Sequence, residues 1–250
     1  MPLLGPQDPP AFEVLRAQAR SPFLLTADHA GRRIPAALGD LGLDEVERQR
    51  HIAWDLGIAE VTRALSARLE ACAILQTYSR LVIDCNRPPG SPQSIVTISE
   101  RTTIPGNVDA QDADARVQEV FAPYHDRIAA ELAWREREGL PTVLIAMHSY
   151  TPRFLDEDRI WQAGVLYGRD TRFALPVLAK LRESGLPIGD NEPYAVSEDS
   201  DYTVITHAER PGRMYVELEL RQDLIADERG RDAWAARVAD ALEHALQARA

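Results

Sequence analysis

The sequence is poor in cysteine and has no long apolar run. Only two of its 250 residues are cysteines, Cys72 and Cys85. They are too few for a disulfide framework or a cysteine-based zinc site, so we expect both to be small buried hydrophobes. No window approaches the roughly 18 apolar residues that a membrane-spanning helix needs, and the first residues lack the basic and apolar regions of a secretory signal. We therefore expect a cytoplasmic protein with no membrane partner.

Basic residues are outnumbered by acidic ones. The chain has 28 lysines and arginines against 39 aspartates and glutamates, which gives a net charge of −11. No basic cluster could follow a phosphate backbone, so nucleic acid is not an expected partner. With 45% hydrophobic residues the chain can bury one sizeable core, which predicts a single domain over residues 1–250. Composition leaves open whether that domain forms a homo-oligomer.

Short apolar runs alternate along the chain with longer amphipathic stretches. This pattern is typical of helices packed on a mostly parallel sheet. The predicted fold class is α/β, with a mixed, mostly parallel sheet flanked by helices in the phosphorylase/hydrolase-like manner. Helices are predicted after Asp55 and around Trp234, where apolar residues recur at helical spacing. The predicted strands are 22–26, 73–77, 81–84, 142–147, 163–167 and 214–220.

Two polar stretches interrupt this alternation. Residues 88–107 and 188–211 are rich in turn-forming residues and poorly periodic, so they are predicted to be long loops. His125 and His244 lie in helical stretches rich in charge, which predicts surface positions for both.

Two histidines stand directly after apolar runs. FLLTADHAG ends in Asp28 and His29, followed by Gly31, and TVLIAMHSY ends in His148 and Ser149. Ligands of open α/β sheets bind beyond the carboxyl ends of the strands. A single histidine in such a place is more often structural than a ligand, but two placed alike favour a ligand pair. Neutral imidazole suits zinc, and a catalytic zinc ion needs three protein ligands and an open position.

The segment YSRLVIDCNRPP carries Arg80, Asp84, Asn86 and Arg87 around an apolar run. Arginine binds carboxylates through two parallel hydrogen bonds, so these residues can hold an acidic substrate. An equally weighted alternative is an ion pair of Asp84 with Arg80 or Arg87 that stabilises the turn.

Two glutamates share one face of the predicted last strand. Glu217 and Glu219 are two residues apart, and side chains alternate along a strand with period two. A buried carboxylate is costly unless it is paired or bound, and beside an activated water it can act as a general base. One of the two is therefore predicted to be functional. The alternative is an exposed edge strand with a polar face.

Five segments together resemble the N-formylglutamate amidohydrolase family, a branch of the zinc-carboxypeptidase-like hydrolases that is also similar to aspartoacylases. In chain order they are DHAG, the WD at Trp54 and Asp55, SRLVIDCNRPP, HSYTP and ELELRQDL. The resemblance spans most of the chain. It implies zinc ligation by His29 and His148 and general-base catalysis by Glu219. The residues it implies for substrate binding are Arg80, Asn86 and Arg87.

The activity that this resemblance implies uses one zinc ion. It is hydrolysis of the amide bond of an N-acyl acidic amino acid such as N-formylglutamate, giving formate and glutamate. Carboxypeptidase-like enzymes place a glutamate ligand three residues after the first histidine, where this chain has Arg32. Asp55 is our candidate for the third ligand, and His51 is the alternative. Arg32 or Arg80 is expected to stabilise the oxyanion.

The segment before the last predicted strand differs from the Gly-rich, arginine-bearing segment of the resembling family. Its residues Tyr202, Thr203, His207 and Arg210 are candidates for a substrate pocket; we assign His207 to substrate binding, together with Ser149. Two other functions stay open. One is hydrolysis of another N-acyl amino acid or a small peptide, and the other is non-catalytic binding of an acidic metabolite. Glu219 argues against the second, because an anion site gains nothing from an extra carboxylate.

Overall fold

A seven-stranded sheet forms the centre of the molecule in a computed structural model that describes residues 2–248. The strand order is β1-β3-β2-β6-β11-β9-β10. The remaining strands form two short hairpins, β4–β5 and β7–β8. The strands are β1 (Phe12–Leu15), β2 (Phe23–Ala27), β3 (Cys72–Gln76), β4 (Ile98–Ser99), β5 (Thr102–Thr103), β6 (Val143–Tyr150), β7 (Arg153–Phe154), β8 (Glu157–Asp158), β9 (Ala163–Leu166), β10 (Ile188–Asp190) and β11 (Met214–Arg221).

The sheet is mixed and mostly parallel. Strands β3, β2, β6 and β11 run parallel to one another, and β10 runs parallel to β9. Strand β1 is antiparallel to β3, and β9 is antiparallel to β11. Every residue of β2, β3 and β6 is buried, as expected for parallel strands covered on both faces. The predicted fold class is confirmed.

Helices cover both faces of this sheet. A π-helical segment, Val117–Phe121, joins α3 to α4, and a second one, Ile205–Glu209, follows α6. Within residues 2–248, no helix combines the length and apolar character needed to cross a membrane. The helices are α1 (Glu45–Arg48), α2 (Ile58–Arg68), α3 (Ala113–Arg116), α4 (Ala122–Arg137), α5 (Ala174–Arg182), α6 (Tyr202–Val204) and α7 (Glu228–Gln247).

The hydrophobic core has one layer on each side of the sheet. On one side, α2, α5 and α7 present residues such as Leu65, Val177 and Val238. On the other side, α4 and the π-helical segment before it present residues such as Tyr124 and Ile128. Each fully buried side chain of this kind contributes about 2 kcal/mol of transfer free energy. The two layers fix the sheet and therefore the positions of its strand ends.

Five of the six predicted strands correspond to β2, β3, β6, β9 and β11. The predicted strand 81–84 is wrong, because these residues form a turn in which the Val82 amide bonds the Ser79 carbonyl and the Asp84 amide bonds the Ser94 carbonyl. Its side chains are apolar because the turn is buried: Leu81, Val82 and Ile83 are each at most 1% exposed.

The two predicted loops contain regular elements. Residues 88–107 include the β4–β5 hairpin and a 3₁₀ helix, Pro105–Asn107. Residues 188–211 include β10, α6 and the second π-helical segment. The predicted surface position of His125 is wrong, since its ring is buried between α4 and that segment, whereas His244 is exposed on α7.

Candidate active site

A cavity of about 450 Å³ opens beyond the carboxyl ends of the central strands. His29 lines it just after β2, His148 lines it near the end of β6, and Glu217 and Glu219 line it from β11. Parallel strands bring their carboxyl ends to one edge of the sheet, so residues far apart in sequence meet there.

Three buried side chains in the cavity can hold a metal ion. His29, Asp55 and His148 each offer one ligand atom, and these atoms lie within 4.8 Å of one another. Asp55 Oδ2 is 3.6 Å from His29 Nδ1 and 3.1 Å from His148 Nδ1. His29 Nδ1 is buried without a hydrogen-bond partner among the described residues. A buried ring nitrogen left free beside a carboxylate fits a cation at this point.

The chain positions these three residues by short contacts. A Cβ atom on Gly31 would lie 1.9 Å from the Thr77 carbonyl oxygen, so only glycine lets the chain after His29 pass this close to the segment that follows β3. The Asp55 amide donates to the His29 carbonyl at 2.9 Å. The Ser149 amide donates to Asp55 Oδ2 at 3.1 Å, so β6 fixes the Asp55 carboxylate directly.

Each histidine has a further carboxylate behind it. His29 Nε2 is 2.7 Å from Asp84 Oδ1, and His148 Nε2 is 3.5 Å from Asp28 Oδ2. The Tyr124 hydroxyl donates to the other oxygen of Asp28 at 2.6 Å. Carboxylates in this position fix the tautomer and orientation of metal-binding imidazoles.

These carboxylates make the site favour positive charge. Burial and the nearby Arg80 act to lower the pKa of His29, but Asp84 and Asp55 outweigh them and raise it. Burial also opposes protonation of His148, yet contacts with Asp28 and Asp55 raise its pKa well above the usual value. The cluster therefore favours a cation, and its three ligand atoms can hold a metal ion.

The two glutamates of β11 face this cluster. Glu219 pairs in register with His148 on the neighbouring strand, and burial raises the pKa of Glu219 to about 7. Burial and the nearby Asp201 raise the pKa of Glu217 well above its usual range. The edge-strand alternative is wrong, because β11 lies between β6 and β9.

The predicted arginines both line the cavity but differ in their partners. Arg80 Nη2 donates to Asp84 Oδ2 at 2.5 Å, and Nη1 lies 3.8 Å from Asp55 Oδ1, so the Arg80–Asp84 ion pair is present. Arg87 donates to the carbonyls of Asn86 and Ser200 and to the Gln93 amide oxygen. Its hydrogen-bond partners within residues 2–248 are thus neutral groups.

Asn86 and Ser149 reach the cavity, but their polar atoms are also used within the protein. The Asn86 amide group donates to Asp201 and accepts from the Thr203 amide. The Ser149 hydroxyl donates to the Leu56 carbonyl at 3.0 Å. Both residues therefore tie neighbouring segments to the cavity wall.

Three other candidates are not part of the three-residue cluster. His207 does not line the cavity, because the π-helical segment turns it towards His125, with 3.0 Å between His125 Nδ1 and His207 Nε2; its predicted contact with substrate is not supported. Arg32 stacks on Trp54 outside the cavity. His51 lines the cavity but faces Glu100, 3.1 Å away, and is not part of the three-residue cluster, which contains Asp55.

Comparison with known proteins identifies the family. Residues 21–226 match the model of the N-formylglutamate amidohydrolase family. The chain belongs to this family. Membership supports hydrolysis of an amide bond as the activity and agrees with the resemblance carried by the sequence motifs. No curated protein matches the chain.

Solved structures share the fold of this amidohydrolase-family chain. A gene product of Agrobacterium tumefaciens is 35% identical, with a TM-score of 0.95 and coverage of 98% of both chains. The N-formylglutamate amidohydrolase of Ralstonia eutropha is 18% identical, with a TM-score of 0.66 and coverage of 96% of this chain and 98% of that one. A tripeptide-bound cell shape determinant of Helicobacter pylori is 11% identical, with a TM-score of 0.52 and coverage of 94% and 55%.

The motifs in the sequence did not reveal two residues that line the cavity, Arg159 and Tyr194. Arg159 follows the exposed β7–β8 hairpin in a stretch of mixed charge, and Tyr194 lies in a segment predicted only as a loop. Neither ends an apolar run, so no periodic pattern marks them. Only the folded chain brings them to the cavity.

Proposed function

We propose that this protein is a zinc-dependent amidohydrolase that removes the formyl group from N-formyl-L-glutamate or a closely related N-acyl acidic amino acid. The observation that carries the proposal is the meeting of three features in one cavity. These are the His29–Asp55–His148 cluster, a buried glutamate with a pKa near neutrality, and arginine side chains.

His29, Asp55 and His148 are the residues that would hold the zinc ion. Two imidazoles and one carboxylate form the three-ligand set of a catalytic zinc site. A bound zinc ion supplies Lewis acidity, which lowers the pKa of water and polarises a carbonyl. Asp84 and Asp28 orient the two imidazoles from behind.

Glu219 is the proposed general base. Its buried carboxylate lines the cavity beside His148 and can both take up and return a proton. Glu219 takes a proton from the attacking water, whose oxygen adds to the formyl carbon. The C–N bond then breaks, and Glu219 delivers that proton to the leaving nitrogen. The products are formate and the free amino acid.

Arg80 and Arg87 are the proposed cationic contacts for the substrate. Arg80 lies beside Asp55, so its guanidinium can stabilise the negative charge that develops on the formyl oxygen. Arg87 has no carboxylate partner among the described ion pairs, which supports a role in binding the α-carboxylate.

The first test is formate release from N-formyl-L-glutamate by zinc-loaded protein, beside N-acetyl and N-succinyl amino acids and small peptides. Glu219→Gln is expected to lower kcat on the order of 10³-fold, because it removes the proton acceptor, while zinc content stays at one ion per chain. Glu243→Gln, which changes an exposed glutamate of α7, is the matched control.

Near-normal turnover by Glu219→Gln would contradict the role assigned to Glu219. Hydrolysis of another acyl substrate alone would keep the mechanism and reassign the substrate. No hydrolysis across the panel would favour a protein that binds acidic metabolites without acting on them.

A further inference from the structure

Arg159 reaches the cavity within a cage of aromatic rings. Its guanidinium carbon lies 5.5 Å from the ring centre of Tyr150, 4.9 Å from that of Phe154 and 4.8 Å from that of Tyr194. Stacking on three rings stabilises the cation and restricts its rotation. The group is thus held in a defined orientation before any ligand arrives.

The backbone of Arg159 is also fixed. Its amide donates to the Pro152 carbonyl at 2.9 Å, and its carbonyl accepts from Arg221 Nη1 at 3.2 Å. Arg221 itself belongs to β11, the strand that carries Glu219. The guanidinium is therefore placed relative to the proposed general base by the central sheet.

The segment that carries Tyr194 is held against the sheet by two glycines. A Cβ atom on Gly164 would lie 2.2 Å from the Glu192 carbonyl oxygen, and one on Gly189 would lie 2.4 Å from it. Larger residues on β9 or β10 would therefore displace this segment. The cage is a built feature of the cavity wall.

The cation in this cage forms no direct ion pair with a described residue, and it acts on the Glu219 carboxylate from beyond ion-pair distance. None of the ion pairs among residues 2–248 involves Arg159, whereas Arg80 and Arg153 are both paired with carboxylates. Arg159 Nη1 is buried and has no hydrogen-bond partner within the described part of the chain. Leaving a buried charged donor unsatisfied is costly, so the position favours binding of an external anion.

An acidic N-acyl amino acid carries two carboxylates, and these would lie at different distances from the His29–Asp55–His148 cluster. The α-carboxylate is joined to the carbon that bears the scissile nitrogen, so it must lie near the His29–Asp55–His148 cluster. A side-chain carboxylate extends away from it. Phe154 and Tyr194 are 37% and 43% exposed, which places the cage at the outer part of the cavity, where the second carboxylate would lie.

We infer that Arg159 binds the side-chain carboxylate of the substrate and thereby sets the preference for acidic over neutral N-acyl amino acids. The inference rests on the proposed function, because it names a further contact for the same substrate. Arg87 and Arg159 then divide the two carboxylates between them. Arg159 is a specificity-determining residue that takes no part in proton transfer.

The test compares Arg159→Met and Arg159→Lys with the wild type on N-formyl-L-glutamate and on its neutral isostere N-formyl-L-glutamine. Methionine keeps an apolar chain between the rings but has no charge. We expect Arg159→Met to lower kcat/KM for the acidic substrate by about 10- to 100-fold, mainly through KM, because a charge-assisted hydrogen bond to the carboxylate is lost. The neutral substrate should change little, and Arg159→Lys should restore part of the loss.

Arg153→Met is the matched control, because Arg153 lies on the same hairpin, is exposed and pairs with Asp158 outside the cavity. An equal loss on both substrates, or no loss on either, would overturn the inference. If the wild type hydrolyses neither compound, calorimetric binding of L-glutamate and L-glutamine still decides it. A preference for glutamate that disappears in Arg159→Met would support the anion site while the proposed reaction fails, and an unchanged preference would reject the anion site as well.

Discussion

At the scale of single residues, the site depends on groups that do not themselves belong to the proposed ligand set. The Asp84 carboxylate accepts three hydrogen bonds: from His29 Nε2 at 2.7 Å, from Arg80 Nη2 at 2.5 Å and from the backbone amide of Asn86 at 2.9 Å. Burial alone would raise the pKa of Asp84, but Arg80 and His29 hold it well below its usual range. One ionised carboxylate thus positions a proposed zinc ligand and a proposed oxyanion contact together.

Asp84→Asn is expected to weaken zinc binding by about 10- to 100-fold, because the amide neither fixes the His29 tautomer nor increases its basicity as a carboxylate does. Competition with a chelator indicator measures the change in affinity. Asp232→Asn, an exposed substitution on α7, should leave zinc affinity unchanged. Equal affinity of Asp84→Asn and wild type would show that Asp84 does not support the metal site.

The two histidines of the site could be predicted from the sequence because they end apolar runs, whereas residues without such a local pattern could not. His29 and His148 end apolar runs, and strand ends meet at one sheet edge. Asp28 and Asp84 also end apolar runs, but a carboxylate there is equally consistent with a turn ion pair, so their contacts with the two histidines were not predicted. Arg159 is recruited by tertiary contacts with Tyr150 and Tyr194, which no local pattern encodes.

At the scale of elements, the second π-helical segment is joined to α4 by a pair of histidines. His125 Nε2 bonds the Cys85 carbonyl at 2.8 Å, and His125 Nδ1 bonds His207 Nε2. Burial and the neighbouring His125 lower the pKa of His207 to about 4. Burial also lowers the pKa of His125, so both rings are neutral in the folded protein near neutral pH. Of the charged groups around His207, Asp28 raises its pKa and Arg213 lowers it.

Stability should fall as the pH is lowered from about 6.5 towards 4, because the unfolded chain binds a proton at His207 that the folded protein does not. For a shift of this size the loss between pH 7.5 and pH 5 is on the order of 2 kcal/mol. His207→Gln should show a smaller loss over this range in urea unfolding, and His244→Gln should match the wild type. Parallel pH dependence in all three proteins would contradict this account.

Strands were predicted correctly where apolar runs form strands. The prediction failed where an apolar run is buried in a turn. Leu81, Val82 and Ile83 are apolar because they are buried in a turn, and a short apolar run does not distinguish a turn from a strand. Strands β1 and β10 were missed because β1 lies at a sheet edge and β10 has only three residues, Ile188–Asp190. Neither provides enough alternation to be seen.

At the scale of the whole molecule, the proposed metal site joins distant parts of the chain. His29 follows β2, Asp55 precedes α2, and His148 lies on β6. The unfolded chain does not hold these three residues together, so binding of a metal ion at the proposed site would be coupled to folding. Placement of residues 1–250 in one domain and a cytoplasmic location stay predictions.

Removal of the metal should lower the melting temperature. A ligand at 1,000 times its dissociation constant stabilises a protein by about 4 kcal/mol, so chelator-treated protein should melt several degrees below the zinc-loaded form in a calorimetric scan. Zinc should restore the difference in the wild type but not in His148→Ala. Coincident melting curves for treated and loaded wild type would indicate that no tightly bound metal contributes to stability.

Because both cysteines are buried, we expect the native protein to react slowly with thiol reagents. Burial raises the pKa of Cys72 to about 12 and that of Cys85 well above its usual range, so the reactive thiolate is scarce in both. The rate at which a thiol reagent alkylates the wild-type chain would therefore report the rate at which the protein unfolds. A cysteine introduced at exposed Leu155, at the tip of the β7–β8 hairpin, would therefore be labelled selectively. A fluorophore attached there could detect ligand binding beside the aromatic cage.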